Sequence, residues 1–173
     1  MDQGDPDPRA QRTREAILGA FVQLVLSRRY DAIRTGELIA AAGVGRATFY
    51  EHFRGKDDVL VAATEPILRT LANAALGRAS KVQVHATLEH VWQRRGFARH
   101  LLDARTGQKL QQRLAAMIEA RLEPGAPAAM SARAAAAAQL TMLRLWVSGA
   151  VACPAPELAM RMKACASLLA DPR

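Results

Sequence analysis

The sequence predicts an all-α protein of roughly nine helices. Three observations carry that expectation. Apolar residues recur at three-and-four spacing along nearly the whole chain, strand-like alternation is almost absent and β-branched residues are sparse. Glycine and proline cut the periodic stretches into short segments.

Each element follows from local signals. Asp7-Pro8 reads as an N-cap followed by proline at the first helical position. Ile17, Phe21 and Leu24 then share one face of a first helix reaching about Arg28, with Leu18, Val22 and Val25 beside them. A short helix from Thr35 to Ala42 stops at Gly43, the residue expected in a left-handed C-terminal turn. Another spans Gly45 to about His52 and closes near Gly55. Asp57 and Asp58 suit the first turn of a longer helix to about Ala79. Val82 to Arg95 and Phe97 to Leu102 are predicted helices separated by Gly96. A further helix over about Thr106–Leu122 ends in the Glu123-Pro124-Gly125-Ala126-Pro127 loop. Ser131 is the expected cap of an Ala-rich helix to about Val151. Cys153-Pro154-Ala155-Pro156 interrupts the pattern before a last helix over 156–169.

With 173 residues, half of them hydrophobic and 23% charged, the chain has a globular composition and room for one or two domains. Two cysteines, Cys153 and Cys165, speak against a disulfide scaffold and for a reduced, cytoplasmic setting. Met1-Asp2-Gln3-Gly4-Asp5 lacks the basic-then-apolar layout of a secretory signal. The weakly polar stretch 134–160 contains Arg144, Pro154, Pro156 and Glu157, so no membrane span is expected.

The formal net charge of +8 points toward anionic partners, but its placement matters. Residues 1–65 carry nine Lys/Arg against ten Asp/Glu, whereas residues 66–173 carry fifteen against six. Residues 9–56 are locally basic, nine to four, between Asp2, Asp5 and Asp7 on one side and Asp57 and Asp58 on the other.

Residues 34–53 have the layout of a helix-turn-helix. Two short helices meet at Gly43, and Leu38, Val44, Phe49 and Phe53 fall where the pair must pack. The second helix would enter a DNA major groove by its first turn, Gly45, Arg46, Ala47 and Thr48. Arg46 has the planar fork that grips guanine O6 and N7, and Thr48 suits a thymine methyl or a hydrogen bond. Tyr50, His52 and Lys56, with Thr35 opening the preceding helix, lie where a phosphate strand should pass.

Tyr30-Asp31-Ala32, the run from Ala42 to Phe53 (AGVGRATFYEHF), and Gly55-Lys56-Asp57-Asp58-Val59-Leu60 resemble the DNA-binding domain of the TetR family of bacterial regulators. Thr13 to Leu18 resembles the start of that family's first helix, so the likeness covers about residues 13–60. The resemblance implies an all-α homodimer that binds a palindromic operator, usually repressing until a small-molecule effector occupies the C-terminal domain. It also puts Thr35, Arg46, Thr48, Tyr50, His52 and Lys56 at DNA. Three positions depart from the family pattern: Ile39 in place of a small alanine, Arg34 in place of a capping threonine, and Gly45 in place of a phosphate-binding serine.

The expected division is a DNA-binding domain over 8–56 and a ligand-binding and dimerisation domain over 57–173. In the latter, the helices over about 131–151 and 156–169 resemble the family's paired dimer helices. Leu140, Leu143 and Val147 form one apolar stripe, and Leu158, Met162, Cys165 and Leu169 another, which makes them the expected dimer interface. The middle helices, about 59–122, are the expected effector chamber, with His85, Glu89, Trp92 and Met117 as pocket candidates. His85, His90 and His100 have spacings that fit no helical metal pair, so neither a metal nor a cofactor is expected. The absence of a nucleophile elbow, phosphate loop or Rossmann glycines argues against an enzyme. A nonspecific architectural DNA-binding protein and a family member acting as activator are the alternatives to a repressor.

Overall fold

A computed structural model describes residues 7–169, and among them nine α-helices and two 3-10 turns occur with no strand. The helices are α1 (Pro8–Ser27), α2 (Thr35–Ala42), α3 (Arg46–His52), α4 (Lys56–Ala75), α5 (Lys81–Gln93), α6 (Arg95–Leu101), α7 (Ala104–Glu119), α8 (Ala126–Ser148) and α9 (Ala155–Ala164). The 3-10 turns are Tyr30–Ala32 and Cys165–Leu169. The acidic residues Asp2 and Asp5 lie outside the described residues. The fold divides into two compact units that meet between Glu65 and Pro66, inside α4.

In the N-terminal unit the caps act as the sequence suggests. The Asp7 carboxylate accepts the Arg9 N–H at 2.9 Å, and Pro8 opens α1. Ile17, Phe21 and Val25 form its buried stripe. Gly43 ends α2 with φ of +64°, a conformation costly to any residue bearing a Cβ, and the Val44 N–H reaches back to the Ile39 carbonyl at 3.4 Å. These helices close around Tyr30, Ile33, Leu38, Phe49, Phe53, Val59 and Leu60, all buried. The rings of Phe21 and Tyr30 meet edge to face at 6.1 Å.

Several boundaries in the C-terminal unit differ from expectation, each for a local reason. α4 stops at Ala75 rather than near Ala79, because Gly77 takes φ of +71° and the Arg78 N–H closes on the Asn73 carbonyl at 2.7 Å. Ser80 then caps α5 by accepting the Gln83 N–H, while the Gln83 side chain accepts the Ser80 N–H. Gly96 does not separate two helices. It is the second residue of α6, and the chain breaks at Arg94 instead. α7 begins at Ala104 because the Asp103 carboxylate accepts the Thr106 N–H at 3.0 Å. Ser131 is not a cap: α8 starts five residues earlier, with Pro127 in its first turn. α9 ends at Ala164, and the expected last turns tighten into 3-10 geometry.

The largest correction concerns the two C-terminal stripes. Leu140, Leu143 and Val147 on α8, with Leu158, Met162 and Cys165 on α9 and the turn after it, are buried within a single protomer. Burial also raises the Cys165 thiol pKa. They pack inside a unit core that includes Leu71, Val84, Leu88, Leu114 and Ile118, so little of them is left to present to a second copy. Leu169 is half-buried. Gln139 shows how this core is specified: its side-chain N–H2 donates to the carbonyls of Leu71 and Met162, both at 3.1 Å, linking α4, α8 and α9. What α8, α9 and the 3-10 turn after it leave in water is a different set, Met130 (75% exposed), Leu145, Met160 (49%) and Leu168.

Candidate nucleic-acid interface

The face built by α2, α3 and the start of α4 rests on a rigid underside. Phe49 and Phe53 anchor α3, their ring centroids 6.0 Å apart, and the Arg14 guanidinium lies 4.7 Å over the Phe53 ring. With that side buried, Arg46, Ala47 and Tyr50 face solvent, and Thr48 and His52 sit half-buried at its edge. The Arg46 guanidinium is 5.7 Å from the Tyr50 ring centroid, so the two exposed side chains support one another. Gly45 caps α3 in an extended conformation, and an added Cβ there would meet only Thr48 Oγ1 at 3.6 Å. The serine missing from this position is therefore not excluded by space.

Arg34, which replaces a capping threonine, does not leave α2 uncapped. Glu37 accepts the Arg34 N–H at 2.8 Å and the Arg28 guanidinium at 2.9 Å. The Arg34 backbone bond, followed by Arg28, holds the Glu37 carboxyl below the usual carboxylate range. The Arg28–Glu37 pair also ties the end of α1 to α2. Thr35 is half-buried at the first position of α2.

Lys56 is placed differently from expectation. Its ammonium donates to the carbonyls of Tyr30 (3.0 Å), Asp31 (3.3 Å) and Ile33 (2.6 Å), and lies 4.6 Å from the Tyr30 ring centroid. An ammonium has three N–H groups, and three carbonyls occupy them. Lys56 is thus the clamp of the 3-10 turn before α2, with no donor left for a phosphate in this arrangement. The adjacent acids share the task. The Tyr30 hydroxyl donates to Asp57 at 2.5 Å, and the Arg54 N–H donates to Asp58 at 2.9 Å. Burial, with the Asp57 carboxylate next, pushes the Tyr30 hydroxyl far above the usual phenol range, so it stays a donor.

The pocket candidates separate. Glu89 and Trp92 on α5 line an open groove of about 750 Å³ together with Trp146 and the 149–155 loop. His85 contacts Glu89 at 3.5 Å but does not line it. Met117 is buried on α7 and does not line this groove. No cluster of His, Cys, Asp or Glu suited to a metal, and no helix long and apolar enough to cross a membrane, occurs among the described residues.

An all-helical chain whose N-terminal unit presents a short helix on an aromatic base, one glycine turn after its partner, is a helix-turn-helix protein. Residues 17–63 match the family model for bacterial regulatory proteins of the tetR family, within the N-terminal unit. The HTH-type transcriptional repressor LfrR of Mycolicibacterium smegmatis is 36% identical over 83 residues, 47% of this chain and 42% of that protein. An uncharacterized HTH-type transcriptional regulator, YwcC of Bacillus subtilis, is 37% identical over 51 residues, 30% of this chain and 23% of that one. The matches thus span less than half the length of these relatives, which are named as regulators and not as enzymes. The fold is shared more widely. A TetR transcriptional regulator from Streptococcus agalactiae superposes with a TM-score of 0.58 at 20% identity, over 91% of this chain and 95% of that chain. A tetR-family regulator from Streptomyces coelicolor gives 0.53 at 21% identity, over 90% and 81%. Residues 17–63 are thus similar to the DNA-binding part of tetR-family regulators, and the chain as a whole shares the fold of such regulators.

Proposed function

We propose that the protein is a sequence-specific DNA-binding transcriptional regulator, a homodimer that represses from a palindromic operator and is released by a small molecule bound in its C-terminal unit. The observation that carries the reading is the exposed α3 face, Arg46, Ala47 and Tyr50, held on buried Phe49 within the matched residues. In this reading Arg46 and Thr48 read base edges, with Gly45 and Ala47 close to them. Thr35, Tyr50 and His52 position the phosphate strand, and Lys56 shapes the turn beneath them. LfrR, named a repressor, favours repression over activation. A nonspecific architectural binder fits less well, because the basic excess of the chain lies in residues 66–173 and not in the matched domain.

The test uses sequences selected from a random pool by the protein itself. Arg46→Ala should weaken binding to the selected site by about 1–3 kcal/mol and relax preference at one base position per half-site. Unchanged affinity together with unchanged base preference would remove α3 from the groove.

The dimer in this reading forms through the outward faces of α8, α9 and the 3-10 turn after it, where Met130, Leu145, Met160 and Leu168 are exposed. Two recognition helices then meet half-sites about 34–36 Å apart, one duplex turn. Met160→Asp should give monomers in sedimentation with full helical content, and operator affinity should fall with them. A variant that sediments as an unaltered dimer would place the interface elsewhere.

A further inference from the structure

We infer that Glu51 is a specificity-determining residue that accepts a hydrogen bond from the N4 amino group of a cytosine in the major groove. The inference rests on the DNA-reading role of α3 proposed above and adds to it one residue and one base. It starts from where the helix points. Phe49 is fully buried and seats α3 on the unit core. Successive helical residues turn by about 100°, so residues two positions either side of a buried one face nearly away from it. Those residues are Ala47 and Glu51, one turn apart, and both are exposed. They make the centre of the outward face. Arg46 and Tyr50 stand on one side of the pair, and Thr48 and His52 on the other.

A carboxylate at that place is an electrostatic anomaly. The face opposes a polyanion, and the other polar side chains on it can donate hydrogen bonds or carry positive charge. Nothing in the protein neutralises Glu51: among the described residues no hydrogen bond or ion pair engages its carboxylate. Arg46 lies against the Tyr50 ring instead, Arg28 is taken by Glu37, and the neighbour one turn earlier is the methyl of Ala47. An ionised carboxylate only accepts, so the DNA group it meets must be a donor. In the major groove guanine offers the acceptors N7 and O6, and thymine offers O4 and a methyl. Adenine sets its N6 amino group beside the N7 acceptor, which a second carboxylate oxygen would face. Cytosine presents its N4 amino donor with no acceptor of its own on that edge. Against phosphates or an acceptor edge the same charge costs binding, which is how it discriminates.

The test compares the sequences that wild type and Glu51→Ala each select from a random pool, followed by titration of the wild-type site and its single-base variants. Glu51 is exposed on a helix, so the alanine variant should melt as wild type does. Wild type should enrich cytosine at one position of each half-site and bind about five- to tenfold more weakly when that base is thymine. Glu51→Ala should lose the preference there, with thymine costing it nothing, and should keep the base preference that depends on Arg46. Enrichment of any other base at the Glu51-dependent position would overturn the inference. So would a variant that binds every sequence more tightly with its preferences intact, because the carboxylate would then only repel. A variant indistinguishable from wild type would overturn it too, since Glu51 would then face water in the complex. In these three cases wild type still selects a site, and the regulator reading stands. A wild-type protein that enriches no sequence overturns that reading, and this inference with it.

Discussion

Replacing Leu143 with aspartate is expected to unfold the C-terminal unit rather than to release folded monomers. Leu143 is only 4% exposed, and its neighbours along the same helix face, Leu140 and Val147, are buried with it. Deleting a buried leucine side chain to alanine costs about 2–5 kcal/mol from lost transfer energy and the cavity left behind. An aspartate adds the desolvation of a carboxylate in an apolar core, so the loss should exceed about 4 kcal/mol. That is a large part of the 5–15 kcal/mol by which domains are usually stable, as an order of magnitude. The measurement is thermal unfolding followed by far-UV circular dichroism, with Val82→Asp as the comparison. Val82, 76% exposed on α5, should accept the charge with little change in melting temperature. A Leu143→Asp protein that is fully helical, melts normally and sediments as a monomer would show that the stripe faces outward after all.

That comparison also shows where the sequence was and was not legible. Signals confined to a few neighbouring residues were readable: the Asp7-Pro8 cap, the left-handed Gly43 and the register of Arg46 to Phe53 are all set by contacts within one or two turns. Burial direction on α8 was not. An intramolecular core and a dimer seam both require apolar residues at three-and-four spacing, so Leu140, Leu143 and Val147 look the same in either role. The alanines around Ala134–Ala138 add no contrast, and they also hid the start of α8, where Pro127 sets the boundary that Ser131 was expected to mark. The groove was only half readable. Glu89 and Trp92 lie one helical turn apart, but Cys153 and Pro154 join them only because an indole N–H on α8 captures a carbonyl seven residues on. The role of Lys56 had no local signal, since its three acceptors lie 23 to 26 residues away.

Lys56→Ala should therefore act on the fold of the N-terminal unit and leave the electrostatics of DNA contact nearly unchanged. Hydrogen bonds to a charged group contribute about 1.5–3 kcal/mol each. The three here are not additive, because Asp31 is exposed and its carbonyl can turn to water. The Tyr30 and Ile33 carbonyls are partly buried and would lose their donor, so a net loss of about 2–4 kcal/mol is expected in chemical unfolding. Lys56→Arg should not restore it. A planar guanidinium fork matches two parallel acceptors, not three carbonyls gathered around one nitrogen. Tyr30 would also lose the cation over its ring while keeping its bond to Asp57. The discriminating measurement is the salt dependence of DNA binding, taken at a temperature where the variant is folded. A phosphate ligand lost from each half-site would lower the slope of log K against log salt by about 0.9 per contact. An unchanged slope with lowered stability is the expected result. A reduced slope with normal stability would mean that Lys56 leaves its carbonyls for the phosphate backbone when DNA arrives.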